Sequence, residues 1–136
     1  LLFGQFQVFL VRLKKNLIEL DGQITEIEIP KKGGDATEFI EGPWIHYHQN
    51  KYYFSYMTYK NWQGKRNIYF TNKEPDGPYI QYCVSDKLFG PYKNPKHWIY
   101  PRHSNDCNVQ QSVGMYDNKW YVAYHLPYKN SQHRQC

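Results

Sequence analysis

Cysteine is scarce, no charge run is long, and no apolar stretch is extended in this chain of 136 residues. The three cysteines, Cys83, Cys107 and Cys136, are odd in number and show no Cys-x-x-Cys or Cys/His ligand spacing. That pattern excludes a recognisable zinc site or disulfide framework, and leaves buried or incidental thiols. Cys83 sits in a strand pattern and reads as core. No stretch reaches the ~18 apolar residues of a membrane span. No signal peptide is visible. The chain opens on Leu1 inside a strand pattern and lacks an initiating Met, which reads as part of a longer protein.

The charge pattern is equally uninstructive about nucleic acid. The net charge is +5, but the basic residues are scattered from Arg12, Lys14 and Lys15 to Lys93 and Lys96 without a run of five. A solvated basic surface is expected, compatible with weak attraction to an acidic polysaccharide. Gly33-Gly34 is followed by neither a Walker pattern nor a helix, so no phosphate loop is present. The six histidines include no His-Glu-x-x-His spacing. His46 and His48 alternate on one strand face, and with His103 and His125 they read as sheet residues. Ser55 and Ser85 lack the context of a nucleophile elbow. No segment has a 3.6-residue apolar period, so no helix is expected.

What is present is aromatic and β-forming. Tyr, Trp and Phe make up 18% of the chain, with 14 Tyr and 4 Trp. Such side chains suit sheets and also suit the apolar faces of sugar rings. Strands are expected at 6–13, 16–20, 25–29, 44–47, 52–56, 67–70, 79–85, 98–100, 113–116 and 120–125. Turns fall at Asp21-Gly22, His48-Gln49-Asn50, Glu74-Pro75-Asp76-Gly77-Pro78, Gly90-Pro91 and Asp117-Asn118. The stretch Gln49-Asn50-Lys51-Tyr52-Tyr53-Phe54-Ser55-Tyr56 returns 68 positions later as Asp117-Asn118-Lys119-Trp120-Tyr121-Val122-Ala123-Tyr124. A hairpin recurring at that interval suits the blades of an all-β propeller, each a small four-stranded sheet.

One motif carries chemistry. In Glu41-Gly42-Pro43-Trp44 a carboxylate stands at the mouth of a strand, with bulk removed at Gly42 and the backbone fixed at Pro43. An aromatic hairpin follows. A carboxylate held against aromatic surroundings is a way of preparing an acid to donate a proton near neutral pH. Trp44 either packs beside Glu41 and helps desolvate it or is ordinary sheet core, and the loop residue Trp62 is either a sugar-stacking platform or packed on the sheet.

Four stretches, in order, resemble family 43 glycoside hydrolases. They are Leu10-Val11-Arg12-Leu13 with Asn16-Leu17-Ile18; Glu41-Gly42-Pro43-Trp44-Ile45 with Tyr52-Tyr53-Phe54-Ser55-Tyr56; Tyr82-Cys83-Val84-Ser85-Asp86 with Gly90-Pro91-Tyr92; and Gln111-Ser112-Val113 with Lys119-Trp120-Tyr121-Val122-Ala123-Tyr124-His125. The resemblance implies a five-bladed β-propeller. Residues 1–136 would form its middle and later blades, a fragment of one domain with the first blades missing. It implies an inverting glycosidase acting on arabinose- or xylose-containing polysaccharides. Glu41 would be the general acid, and Trp44, Trp62 and Gln110 would bind substrate. Arabinoxylan, arabinan or xylo-oligosaccharide would be the partner, with no nucleic acid and no membrane. A secreted or extracellular parent is favoured. The general base and the Asp that tunes the acid would lie upstream of Leu1, because Asp21, Asp35, Asp76, Asp86 and Asp117 all fall in turn or loop patterns. Many relatives place a His at the position of Gln110, where it helps hold a metal ion or water. Gln is a poorer metal ligand, so no cofactor is expected and a structural calcium ion in the parent is put in doubt. The competing expectation is a carbohydrate-binding propeller that has lost its base.

Overall fold

The computed structural model describes residues 1–30, 39–58, 79–99, 109–127 and 134–135. Among them every regular element is a strand. Short strands β1 (Leu2–Phe3), β2 (Phe9–Leu10) and β3 (Thr25–Glu26) form one sheet. An antiparallel four-stranded sheet follows, built from β4 (Glu41–His48), β5 (Lys51–Thr58), β6 (Tyr79–Ser85) and β7 (Lys93–Ile99) in sequence order. The hairpin of β8 (Gln111–Tyr116) and β9 (Lys119–Tyr124) comes next, and β10 (Leu126–Pro127) pairs with β11 (Arg134–Gln135).

Alternation along β5 explains how the sheets stack. Phe54 and Tyr56 point to one face and pack with Val8, Ile27, Phe39, Cys83 and Tyr92. Met57 points to the other face and packs with Ile40, Ile80 and Val109. Residues from the first sheet thus cover one side of β4–β7, and the segment leading into β8 covers the other. Sheets stacked in chain order, each with its first strand beside the next, are the arrangement of propeller blades. Side chains such as Phe54 contribute ~1.5–3 kcal/mol each when fully buried. Cys83 is a free, fully buried thiol, as expected, and burial pushes its pKa up to about 12.

The recurring motif forms two like hairpins. His48 pairs with Lys51 and Tyr116 with Lys119, so both loops have two residues. The loop residues all have positive φ: Gln49 46°, Asn50 60°, Asp117 49° and Asn118 55°. That is the turn whose twist matches the strands it joins.

Four elements depart from expectation, the first being the strand expected over 16–20, which is turn and bend apart from the isolated bridge at Leu20. The strand expected over 6–13 is broken, because Phe6 takes φ 62° and the backbone donors find separate partners. Phe6 N donates to Ile40 O, Val11 N to Leu1 O, and Leu13 forms only an isolated bridge with Leu20. The strand expected over 25–29 is regular only at Thr25–Glu26, although Ile27 N still donates to Val8 O. Strand β7 begins five residues before the expected start at 98. It contains Pro95, which an edge strand tolerates because one side needs no ladder donor. The strand expected at 67–70 and the turn at 74–78 lie outside the described residues.

Candidate active site

Glu41 opens β4, half-buried, where the chain leaves the buried pair Phe39-Ile40. It pairs in register with Met57, and the register then shifts before Trp44 pairs with Ser55. The shift is a bulge, a device that re-aims a side chain at a strand end. Gly42, inside it, has φ 66°, a left-handed conformation that favours glycine.

The other half of the site comes from the next sheet. Gln110 immediately precedes β8, and its Nε2 donates to Glu41 Oε1 at 3.2 Å. When Glu41 is ionised its carboxylate only accepts, and the amide then presents its NH2 group to it. Gln111, the first residue of β8, is 8% exposed. Its Nε2 donates to Gly42 O at 3.1 Å and to Ser55 Oγ at 3.0 Å. His125 N donates to Gln110 O at 3.2 Å, which brings the half-buried His125 to the same end of the hairpin. Corresponding ends of two neighbouring sheets therefore meet at Glu41.

The other expected site residues divide. Trp44 is 36% exposed, and its indole Nε1 donates to Val113 O at 3.0 Å, tying β4 to β8. Trp62 lies outside the described residues. Gln111 and Ser55 are additions. The Gln-Ser-Val stretch containing Gln111 was visible in the sequence, but its partners lie 56 and 69 positions away.

The described aspartates are elsewhere. Asp21 pairs with Arg12 at 3.1 Å, and Asp86 pairs with Lys51. Asp117 occupies the β8–β9 turn, at the opposite end of that hairpin from Gln110. Asp35, Asp76 and Asp106 lie outside the described residues. Gln110 turns its amide nitrogen toward the carboxylate, which leaves its Oε1 as the amide atom able to ligate a cation. Among the described residues no group of three or more His, Cys, Asp or Glu could hold one. What the arrangement can do is hold one carboxyl group, with a fixed donor beside it, at the junction of two sheets.

No family model matches the chain. An arabinoxylan arabinofuranohydrolase of Paenibacillus polymyxa is 30% identical over 112 residues, which are 80% of this chain and 16% of that protein. A β-xylosidase of Xylanibacter ruminicola is 26% identical over 102 residues, 75% of this chain and 26% of that protein. Among solved structures, the GH43_1 enzyme from Xanthomonas citri complexed with xylotriose is similar with a TM-score of 0.60 and 26% identity, over 88% of this chain and 32% of that one. The chain thus spans about a sixth and a quarter of the curated relatives it matches. Sequence and structural neighbours agree that the chain is similar to family 43 glycoside hydrolases, and its all-strand fold matches part of their five-bladed β-propeller.

Proposed function

We propose that this chain supplies the general acid of a glycosidase that cleaves arabinose- or xylose-containing plant polysaccharides. The observation that supports it is the placement of Glu41 at a bulged strand mouth, hydrogen-bonded to Gln110 of the neighbouring sheet. Glu41 protonates the glycosidic oxygen as the bond to the sugar breaks. A positioned proton donor of this kind contributes ~10²–10⁴-fold in rate. In an inverting reaction a second carboxylate activates water on the opposite face of the ring, with the two carboxyl groups ~6.5–9.5 Å apart. That base and the acid-tuning Asp come from propeller residues beyond this chain. A propeller suits such chemistry, because strand ends from different blades converge on one sugar.

Gln110 and the exposed part of the Trp44 indole line the approach to the acid and contact substrate. Trp62 is assigned to stacking on the sugar. The xylotriose carried by the Xanthomonas citri neighbour is of the same substrate class. The parent acts outside the cell on polymeric substrate.

Aryl arabinofuranosides and aryl xylosides, given to the full-length parent and to its Glu41→Ala variant, test the reading. Glu41→Ala is expected to lose ~10²–10⁴-fold on substrates with poor leaving groups. It should lose far less where the leaving group needs no proton. Equal loss on both would reject Glu41 as the acid. A wild-type parent that turns over neither substrate, yet retains arabinoxylan in a pull-down, would establish a binding propeller instead.

A further inference from the structure

We infer that Gln111 is the positioning residue for Glu41, acting through the peptide that follows it. The inference rests on reading Glu41 as the proton donor. The bulge leaves Gly42 and Pro43 without register partners on β5. Pro43 also has no N–H. The strand ladder therefore does not hold the peptide next to the acid, although Gly42 must stay at φ 66°. The side chain of Gln111 holds it. One amide nitrogen reaches from β8 to Gly42 O on β4 and to the fully buried Ser55 Oγ on β5. Three strands of two sheets are joined by one NH2 group.

The orientation of that amide follows from chemistry. A backbone carbonyl only accepts, so nitrogen must face Gly42. The opposite atom, Gln111 Oε1, is then buried and finds no donor among the described residues. A buried unsatisfied acceptor is a stability cost that an apolar side chain of the same volume would not carry. Gln stands here at that cost, where packing alone favours Met or Leu. Gly42 and Gln110 are also in close contact, since a Cβ at Gly42 would lie 3.1 Å from Gln110 Cγ. Any movement of Gly42 is thus felt at the Gln110–Glu41 hydrogen bond, and Gln111 limits that movement.

The test compares full-length wild type, Gln111→Ala and Gln111→Met, the last filling the space without the amide. Melting temperature first shows that each variant folds. On poor leaving groups both variants should lose kcat by about 10²-fold with KM little changed, the scale of a reacting group displaced by ~1 Å. On aryl substrates whose leaving group needs no proton the loss should largely vanish. A Gln111→Met enzyme with the wild-type dependence on leaving group, or one equally impaired on all substrates, overturns the inference. If the wild type itself turns over no glycoside, the assignment of Glu41 fails instead, and positioning is read from crystal structures. There the 3.2 Å Gln110–Glu41 contact should be broken in Gln111→Met; an unmoved Glu41 side chain overturns the inference.

Discussion

Gly42 shows how much of the site is decided one residue at a time. Its sequence context, between a carboxylate and Pro43, indicates removal of bulk beside Glu41. The structure adds two separate demands. The φ of 66° is open to glycine at little cost, and an added Cβ would press on Gln110 at 3.1 Å. Gly42→Ala should therefore destabilise the protein by about 1–2 kcal/mol from the left-handed backbone alone. It should also push Gln110 away from Glu41 and lower turnover beyond what the stability loss explains. Urea midpoints and kcat, measured on the same preparations, check both parts; an unchanged midpoint would rule out the strained conformation. Glu41 drew attention in the sequence because it sits in a stretch that resembles a known family, and Gln110 because it departs from that family's usual His, and the structure brings the two side chains together. Gln111 was not legible as a site residue. It stands one position from Gln110, and nothing local shows that its amide crosses to Gly42 and Ser55.

Turn chemistry made the hairpins the most legible elements. Asn50, Asp117 and Asn118 tolerate positive φ better than most residues, and the flanking strands alternate cleanly. Pro95 hid the first half of β7, since only the position of β7 at the edge of its sheet makes proline acceptable there. The broken stretch after Phe6 was hidden for a different reason, because its donors are satisfied by Ile40 and Leu1 of other segments. The β4–β5 hairpin also carries a titration that sequence could not show. His46 stacks on Tyr53, with ring centroids 5.1 Å apart, and tilts against Trp120 of β9 at 5.4 Å. Burial of this side chain, and secondly the neighbouring His48, hold its pKa below the ordinary value of 6.5. The groups around it are His48 on β4, Tyr53 on β5 and Tyr82 on β6, with Trp120 closing the cluster from β9. Below pH 6.5 the unfolded chain takes up a proton that folded His46 resists, so the unfolded state binds more protons and stability falls as pH falls. Thermal melts from pH 7 down to pH 5 should show that decline, and His46→Phe should flatten it while keeping the stack on Tyr53. An identical slope in the variant would assign the decline to other groups.

At the scale of the whole molecule, the architecture was legible and the manner of its completion was not. A hairpin returning 68 positions later pointed to stacked sheets, and stacked sheets are found. The stack is uneven. Among the described residues the sheet β4–β7 has four strands, while β8 pairs with β9 alone. Trp98 of β7 and Trp120, Tyr121, Val122 and Tyr124 of β9 remain exposed to a third or more of their surface. Between the two sheets lies a cleft of about 310 Å³ lined by His46, His48, Tyr53, Tyr82, Trp98, Val113 and Trp120. An apolar cleft beside a strand with one unpaired edge is a site for association with another chain. The 136 residues produced alone should therefore self-associate, and they should not hydrolyse aryl arabinosides or xylosides, because Glu41 would lack its partner carboxylates. Sedimentation velocity over a tenfold concentration range checks the first expectation, with the full-length parent as the monodisperse reference. Replacing Trp98 and Trp120 by Ser should reduce the association of the isolated chain, if the cleft drives it. A monodisperse monomer at every concentration would show that these faces are adequately covered within the chain. Turnover by that monomer would show that the catalytic carboxylates are all contained within these 136 residues.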